Sequence, residues 1–459
     1  MVISEINTVA FPLSVVSINV KRLFGRYTYN LQLKDKDTQL ENSLLILYGD
    51  NGSGKTTILN LLFHLLSPGQ NRGHRTVLAQ IPFAEFSVSL ADGTHIVASR
   101  EPDQLTGSFQ VQLLRGKDDV TTANYKVDHN GKLRGEDDAF LQSLSNLQIN
   151  IYLLGDDRVL SSDAFEEDDS DILIPYNIKM KMQKAQRFLF EDMDQGLYRP
   201  LSIIKSKNIH TDIALRTSIQ RAEEWIREQA LKGSNAGSAN VHNLYEEILT
   251  RIINSGEAAI EERKGLPGDL IEALKVQQKR SEDFSGFGLM SPLSNQKLID
   301  TLKNAAENTH SIILDVLQPY LDSVNARMDA LQYTQDLLTL FVDTINNIFF
   351  RDKRIRLHVR EGISIMTESG MEILPEMLSS GEKQLLLLFC NTLTAREQAT
   401  IFIIDEPEIS LNIKWQRQFI RTLLALTEGS QVQFMLATHS LELLAQYRRN
   451  VIKLENQAD

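Results

Sequence analysis

The chain has 459 residues, of which 42% are hydrophobic and 24% charged, a balance that is ordinary for a soluble globular protein of two or three domains. Its formal net charge of −12 argues against a surface covered with basic patches for nucleic acid, although a local basic groove is compatible with it. The single cysteine, Cys390, excludes a disulfide framework and a thiolate metal site, and it indicates a reducing cytoplasm.

The N-terminal residues and the longest apolar runs argue against export and against a membrane span. Residues 1–5 carry no basic leader, and runs such as 44–48 and 385–390 are far shorter than the ~20 residues that cross a bilayer. The sequence therefore predicts a cytoplasmic protein with no membrane partner.

The first predicted elements are strands. Alternating side chains predict two antiparallel strands, 14–20 and 27–33, on either side of Gly25. The continuous apolar run 44–48 is typical of a buried parallel strand, and the apolar pattern that follows predicts a helix over 56–66.

The segment between that strand and that helix, residues 49–56, reads Gly-Asp-Asn-Gly-Ser-Gly-Lys-Thr and matches GxxxxGK[ST] at every fixed position. Glycines let the backbone N–H groups approach phosphates, and the helix adds its positive N-terminal end. Lys55 is predicted to reach the β- and γ-phosphates of ATP, and the Thr56 hydroxyl to bind Mg²⁺. The residues predicted to hold the nucleotide here are Gly49, Asn51, Gly52, Ser53, Gly54, Lys55, Thr56 and Thr57.

Beyond the phosphate loop, the pattern predicts an antiparallel β layer from about Val77 to Val127, with a turn at Asp92-Gly93, and then a buried strand over 149–154. Residues 156–171 hold eight acidic residues against one basic residue, which is typical of a solvated loop and a domain boundary.

A helical region follows, from about 177 to 350, with breaks at 233–238 and 285–288. Pro319 is predicted to kink or divide its last long helix. Strands resume at 355–359 and 363–366. We therefore predict three parts: a first half of an α/β core over 1–160, a helical insertion for dimerisation or partner binding over 161–350, and the second half of the core over 351–459.

A second motif opens a leucine-rich helix at Ser379-Ser380-Gly381-Glu382-Lys383-Gln384. Ser380 and Gly381 are placed to present a hydroxyl and a helix N-terminus to a γ-phosphate. Taken alone, the same residues are compatible with a plain helix cap that has a glutamate in its first turn. The spacing of 24 residues from Gly381 to the next acidic strand favours the nucleotide interpretation, in which Ser379, Ser380, Gly381 and Glu382 contact ATP.

The third motif is the apolar strand 401–404 followed by Asp405-Glu406. A carboxylate at the end of a buried strand can hold the Mg²⁺ shell, which is the role predicted for Asp405. Glu406 is then predicted to be the general base that polarises an attacking water. A buried strand over 434–438 ends at His439, which is predicted to bond the γ-phosphate or that water.

In this order the motifs resemble those of the ABC-type ATPases of the SMC, RecF and OLD-like superfamily. The resemblance implies an α/β fold in which a phosphate-loop parallel sheet and an antiparallel β layer form a head interrupted by a helical insertion. It also implies an ATP-dependent, head-to-tail dimer or higher homo-oligomer, in which the signature at 379–384 of one chain completes the site of another. Residues 409–412, just past Glu406, then form the loop that links the two sites.

Two departures from that pattern concern loops. A glutamine-bearing loop is not assignable, and residues 154–158, with Arg158, are the best-placed candidate. Asn412 stands where many similar proteins have histidine.

The layout of the insertion is similar to that of ATPase subunits of bacterial antiphage systems of the PARIS or Septu type. Twenty residues follow His439, which leaves no room there for the nuclease domain of OLD-like proteins. We therefore expect an ATPase that acts as sensor or scaffold in antiphage defence, and that controls a separate effector, a nuclease, with a phage-encoded trigger.

Two other functions fit parts of the sequence. A DNA-repair or chromosome-associated ATPase of the RecF or SMC kind would bind DNA, but the insertion is short and broken for a long coiled-coil arm. A nucleotide-binding subunit of a transporter fits poorly with a helical insertion between phosphate loop and signature.

Overall fold

The computed structural model describes residues 13–32, 43–70, 72–116, 119–128, 133–155, 160–162, 211–234, 267–304, 310–410 and 413–457. The chain divides into two compact units, and the first consists of two segments far apart in sequence. Unit 1 holds residues 1–215 and 395–459, and unit 2 holds residues 216–394. The domain boundaries expected at 160 and 350 remain a prediction.

The described strands, in chain order, are β1 Val15–Leu23, β2 Tyr27–Gln32, β3 Leu44–Tyr48, β4 Glu85–Leu90, β5 His95–Ser99, β6 Phe109–Arg115, β7 Asp119–Val127, β8 Leu133–Glu136, β9 Asn150–Leu154, β10 Leu160–Ser161, β11 Lys353–His358, β12 Gly362–Thr367, β13 Glu372–Ile373, β14 Thr400–Asp405, β15 Val432–Ala437 and β16 Val451–Lys453.

The described helices are α1 Lys55–Leu66, α2 His74–Gln80, α3 Asp138–Ser145, α4 over 211–234, α5 Pro267–Ser285, α6 Gln296–Lys303, α7 His310–Thr344, α8 Ser380–Thr394, α9 Ile413–Leu426 and α10 Leu441–Gln446. A π-helical turn, Ile345–Phe349, follows α7, and short 3₁₀ helices lie at Pro375–Met377, Ala395–Glu397, Pro407–Ser410 and Arg448–Asn450.

Unit 1 contains two sheets that share one hydrophobic core. The antiparallel sheet has the order β2-β1-β4-β5-β6-β7-β8, and its strands alternate buried and partly exposed residues, as expected for a sheet with one covered face. The second sheet has the order β10-β9-β14-β15-β3-β16, and all its neighbours except β10 and β9 run parallel. Helix α1 packs against β9, β14 and β15.

The central strands of the parallel sheet are apolar throughout. Every residue of β14 and of β15 is buried, because a parallel strand in the middle of a sheet is covered on both faces. Phe402 stacks between Tyr152 and Phe434 of the neighbouring strands, with ring centroids 4.8 and 5.4 Å apart. These stacked rings tie three strands together on one face.

A buried amide joins the two sheets of unit 1. Oε1 of Gln433, on β15, accepts from the Val15 backbone N–H at 2.9 Å, and its Nε2 donates to the Val15 carbonyl at 3.0 Å. The side chain thus pairs with β1 as a neighbouring strand would. The first strand of the antiparallel sheet is thereby fixed to the middle of the parallel one.

Unit 2 contains a small antiparallel sheet, β11-β12-β13, and a group of helices. Apolar residues of α5, α6 and α7 form a core, and Gln277 of α5 donates from its buried side chain to the Leu321 carbonyl of α7 at 2.8 Å. Helix α4 contacts the sheet and α8: Glu223 accepts from the Ile363 N–H at 2.7 Å, and Asn391 donates to Ser218 Oγ at 2.8 Å.

The predicted α/β fold is confirmed, and so are the strands at 14–20, 27–33, 44–48 and 149–154, with ends that agree to within one residue except that β1 continues three residues further, to Leu23. The helical content predicted between 177 and 350 is confirmed for the described residues 211–234, 267–285, 296–303 and 310–349. Within the same described stretches, no helix is long and apolar enough to cross a membrane.

One expectation about elements was wrong, and one of the two alternatives for Pro319 is excluded. The β layer does not begin at Val77, because α2 runs to Gln80 and buries Leu78 and Ala79 on one face. Pro319 does not divide its helix: α7 is continuous around it over 35 residues. A proline inside a helix removes one backbone hydrogen bond, and the apolar contacts of α7 with α5 hold the helix together in spite of that loss.

Candidate active site

The phosphate loop leaves β3 and ends at the first turn of α1. Gly52 and Gly54 have φ of 78° and 93°, in the left-handed region that glycine adopts without strain. A Cβ at Gly54 would lie 2.7 Å from Leu23 Cδ2, and one at Gly49 would lie 2.8 Å from Ser53 Oγ. The glycines of the motif are therefore required both by backbone conformation and by close packing.

Lys55 is the first residue of α1 and is 6% exposed. Its ammonium group donates to the carbonyls of Gly49 and Asp50, at 2.9 and 3.1 Å. Burial lowers the pKa of Lys55, and the carboxylates of Glu406, Asp405, Asp50 and Glu408 partly oppose this effect. The Lys55 ammonium group therefore lies close enough to the acids at the end of β14 for their charges to affect its pKa.

The loop fits a phosphate chain. The Ser53 hydroxyl is buried and has no hydrogen-bond partner among the residues that the structure describes, so its donor is left for a ligand. The Tyr29 hydroxyl donates to the Ser53 carbonyl at 2.9 Å and holds the loop from the β1–β2 hairpin. Thr56 and Asn51 are exposed beside it. The Thr56 hydroxyl and the Asp405 carboxylate are oxygen groups of the kind that Mg²⁺ prefers as ligands.

The two acids that follow the apolar run of β14 differ in environment. Asp405 ends the strand and is 5% exposed. Glu406 is the next residue, has φ of 46°, and donates its backbone N–H to the Ala437 carbonyl at 2.9 Å. A left-handed backbone is unusual for a residue with a side chain, and such residues concentrate at functional sites.

His439 is carried by the loop after β15. Its Nε2 lies 3.8 Å from Oε1 of Glu406. Both side chains are about one-third exposed, at 36% and 31%. The structure therefore places the predicted base and the predicted histidine together, at the carboxyl ends of two adjacent parallel strands, where ligands of open α/β sheets bind.

The signature opens α8 in unit 2. The Ser379 backbone N–H donates to Oε2 of Glu382 at 2.8 Å, and the Glu382 N–H donates to the Ser379 hydroxyl at 3.4 Å. This reciprocal pair is a capping box. The other carboxylate oxygen of Glu382 pairs with the Lys353 ammonium of β11 at 3.2 Å, and Glu382 is 6% exposed. Ser379 and Ser380 are exposed, and Gly381 is half-buried.

Two predicted loops, 154–158 and 409–412, lie partly outside the described residues. Residues 156–158 of the first and Asn412 of the second are outside. Ile409 and Ser410 belong to the 3₁₀ helix Pro407–Ser410.

Several residues of the site were missed by sequence reasoning. They are Tyr29, Lys353, Glu408, Gln416 and Ser440. Glu408 had a signal, since it is the third acid among the four residues 405–408 at the end of β14. Ser440 had the signal of a helix N-cap, and the other three carry none, because their contacts join separate elements of the fold.

The family of this chain follows from comparison with known proteins. A protein-family model described as the AAA ATPase domain matches residues 31–444. The chain belongs to the AAA ATPase domain family. The match spans the phosphate loop, the acidic strand and His439, and it supports ATPase activity in general.

Two solved structures overlap with the domain over most of its length. One is the Smc head domain with an extended coiled coil bound to the C-terminal domain of ScpA, from Pyrococcus furiosus, with 12% identity, 96% of this chain and 94% of that chain covered, and a TM-score of 0.35. The other is the SmcHead bound to the C-winged helix domain of ScpA, with 12% identity, 96% and 93% covered, and a TM-score of 0.32. A search of curated proteins found no match.

The capping box predicts a measurable cost for losing Glu382. Glu382→Ala removes one cap and leaves Lys353 without its buried partner, so the free energy of unfolding should fall by about 1–2 kcal/mol. Glu382→Gln keeps a carbonyl acceptor for the Ser379 N–H and should lose less than half as much. Thermal unfolding measures both, with the exposed Glu372→Ala as control. Equal stability of the Ala variant and the control would contradict the cap.

Proposed function

We propose that this AAA ATPase domain hydrolyses ATP at a site completed by a second copy of the chain, and that ATP-dependent pairing controls a separate effector protein. The observation that carries the proposal is the cluster at one edge of the parallel sheet: Lys55, Glu406 and His439 follow β3, β14 and β15. The motif order resembling ABC-type ATPases supports the pairing.

In this proposal Glu406 is the general base. Its left-handed backbone is held by the bond from its N–H to the Ala437 carbonyl, which orients the residue independently of ligands. His439, 3.8 Å away, is placed to bond the same water or the γ-phosphate. Because the two groups come from neighbouring strand ends, a small shift of either strand changes their separation and can couple hydrolysis to the fold.

The remaining residues hold the substrate. Lys55 would exchange its bonds to the Gly49 and Asp50 carbonyls for phosphate oxygens, and backbone N–H groups at the start of α1 would donate to the phosphates. Thr56 and Asp405 would hold Mg²⁺. When bound, Mg²⁺ neutralises charge that develops on the phosphate oxygens.

The signature is proposed to serve the site of another copy. Its capping box uses Ser379 and Glu382 for the local helix cap, so the exposed hydroxyl of Ser380 and the N–H of Gly381 stay available to an anion. Glu382 then supports ATP binding indirectly, because it fixes the first turn of α8. Head-to-tail pairing of two chains would bring this turn to the γ-phosphate of the partner copy.

The effector role rests on the layout of the chain. The helical region predicted over 161–350 is the proposed surface for dimerisation or partner binding, and an antiphage-defence role is supported by its similarity in layout to PARIS and Septu ATPase subunits. A nuclease is the proposed class of effector, and a phage product the proposed trigger. Action at DNA in repair is the alternative.

Glu406→Gln should leave ATP binding intact and reduce phosphate release at least 100-fold, since the amide cannot accept the proton of the attacking water. A dimer should then accumulate with ATP, seen by light scattering coupled to size exclusion. Lys55→Ala is the matched control, because without the cation neither ATP binding nor dimerisation is expected. Normal turnover by Glu406→Gln would remove Glu406 as the base.

Mixing two inactive variants tests the composite site. Ser380→Arg spoils the signature, and Lys55→Ala spoils the phosphate loop, so each alone should be inactive. A mixed dimer joins the intact loop of the first variant to the intact signature of the second, and ATP turnover should return on mixing. Ser145→Arg, on an exposed position of α3, is the control for the added charge. No recovery on mixing contradicts a site shared between copies.

The effector proposal is tested by co-expression of the chain with the products of its neighbouring genes, followed by native mass spectrometry. We expect a stoichiometric protein partner whose enzymatic activity differs between complexes with the wild-type chain and with Glu406→Gln. Absence of any stoichiometric protein partner, combined with ATP-dependent and salt-sensitive binding to duplex DNA, would favour the repair alternative.

A further inference from the structure

Glu408 lies two residues beyond Glu406, in the 3₁₀ helix Pro407–Ser410. Its Oε1 accepts from the backbone N–H of His439 at 2.6 Å. A charge-assisted bond of this length is among the stronger hydrogen bonds in proteins. It connects the loop after β14, which carries Glu406, to the loop after β15, which carries His439.

The same two loops are joined a second time through α9. The Gln416 amide donates to the Glu408 carbonyl at 3.4 Å, and the Ser440 hydroxyl donates to Oε1 of Gln416 at 2.8 Å. Ser440 is also the N-cap of α10, where its hydroxyl accepts from the Leu443 N–H. Ser440, the residue after His439, is therefore linked to the Glu408 backbone through the side chain of Gln416.

Glu408 also belongs to the electrostatic surroundings of the phosphate loop. Its carboxylate is one of the four that act on Lys55. Its second oxygen, Oε2, is buried and has no hydrogen-bond partner within the described part of the chain. Glu406, rather than Glu408, faces the imidazole of His439, so the contact of Glu408 with this loop is to the backbone.

We propose that Glu408 is a positioning residue for ATP hydrolysis: by accepting the His439 N–H, it fixes the distance between His439 and Glu406. This inference rests on the proposed function, in which Glu406 and His439 act on the attacking water. A displacement of about 1 Å in such a pair is enough to lower turnover about 100-fold. Binding of ATP depends on the phosphate loop and does not require this bond.

Two conservative variants separate the reach of the side chain from its charge. Glu408→Gln keeps the length of the side chain and a carbonyl oxygen for the His439 N–H, but loses the charge. Glu408→Asp keeps the charge but is shorter by one CH₂, so it no longer reaches the N–H. We expect the Asp variant to lose about 10- to 100-fold in kcat with little change in KM, and the Gln variant to stay within about 5-fold of wild type.

Steady-state phosphate release gives kcat and KM, and a fluorescent ATP analogue gives the binding affinity. Glu101→Gln and Glu101→Asp, at an exposed position of unit 1, are the controls. The proposal is overturned if the Asp variant turns over normally, if the Gln variant is the slower of the two, or if both lose activity equally. A failure of the proposed function would give a different result, because wild type and Glu406→Gln would then hydrolyse ATP at equal rates.

Discussion

Three parallel strands that end level with one another hold the candidate site together. The register pairs Asp405 of β14 with Ala437 of β15, and Ala437 with Leu47 of β3. The phosphate loop, the acid pair and His439 all begin within two residues of these positions. A slip of one residue in either pairing would turn every side chain of a strand to the opposite face, so the site and the sheet core are specified by the same contacts. The apolar runs that bury β14 and β15 thus determine where the chemistry lies.

The signature segment, residues 379–384, is stabilised by other interactions, namely a helix cap and an ion pair. Its helix begins with a capping box that is satisfied within unit 2, and the ion pair of Glu382 with Lys353 joins α8 to β11. Within this unit, Glu223 of helix α4 accepts from the Ile363 N–H, and Ser218 of α4 accepts from Asn391 of α8. The exposed residue Ser380 is therefore carried by a helix turn whose cap is satisfied within the unit. If this turn binds a phosphate as proposed, its donors are already in place, and little ordering is needed on binding.

Much of this architecture follows from local sequence. The phosphate loop is predictable because its glycines, lysine and threonine each satisfy a separate steric or chemical demand, and the buried strands are predictable from apolar runs. Helix α2 was misjudged because a seven-residue element offers too few turns for its period to stand out. The bonding partners of Glu408 and Lys353 were out of reach, since the bonds to His439 and Glu382 span 31 and 29 positions. Such pairings depend on the tertiary fold and produce no periodic pattern in the sequence.

The backbone of Glu406 has a wider consequence. A left-handed conformation costs a residue with a side chain about 1–3 kcal/mol, a cost that glycine largely escapes. The folded state would therefore gain stability from glycine at this position, at the expense of the carboxylate. Under the proposal that Glu406 is the general base, selection for stability and selection for activity oppose each other at position 406. A copy of this gene that no longer hydrolysed ATP would then be expected to lose this acid early, while the apolar strand before it is kept for the sake of the core.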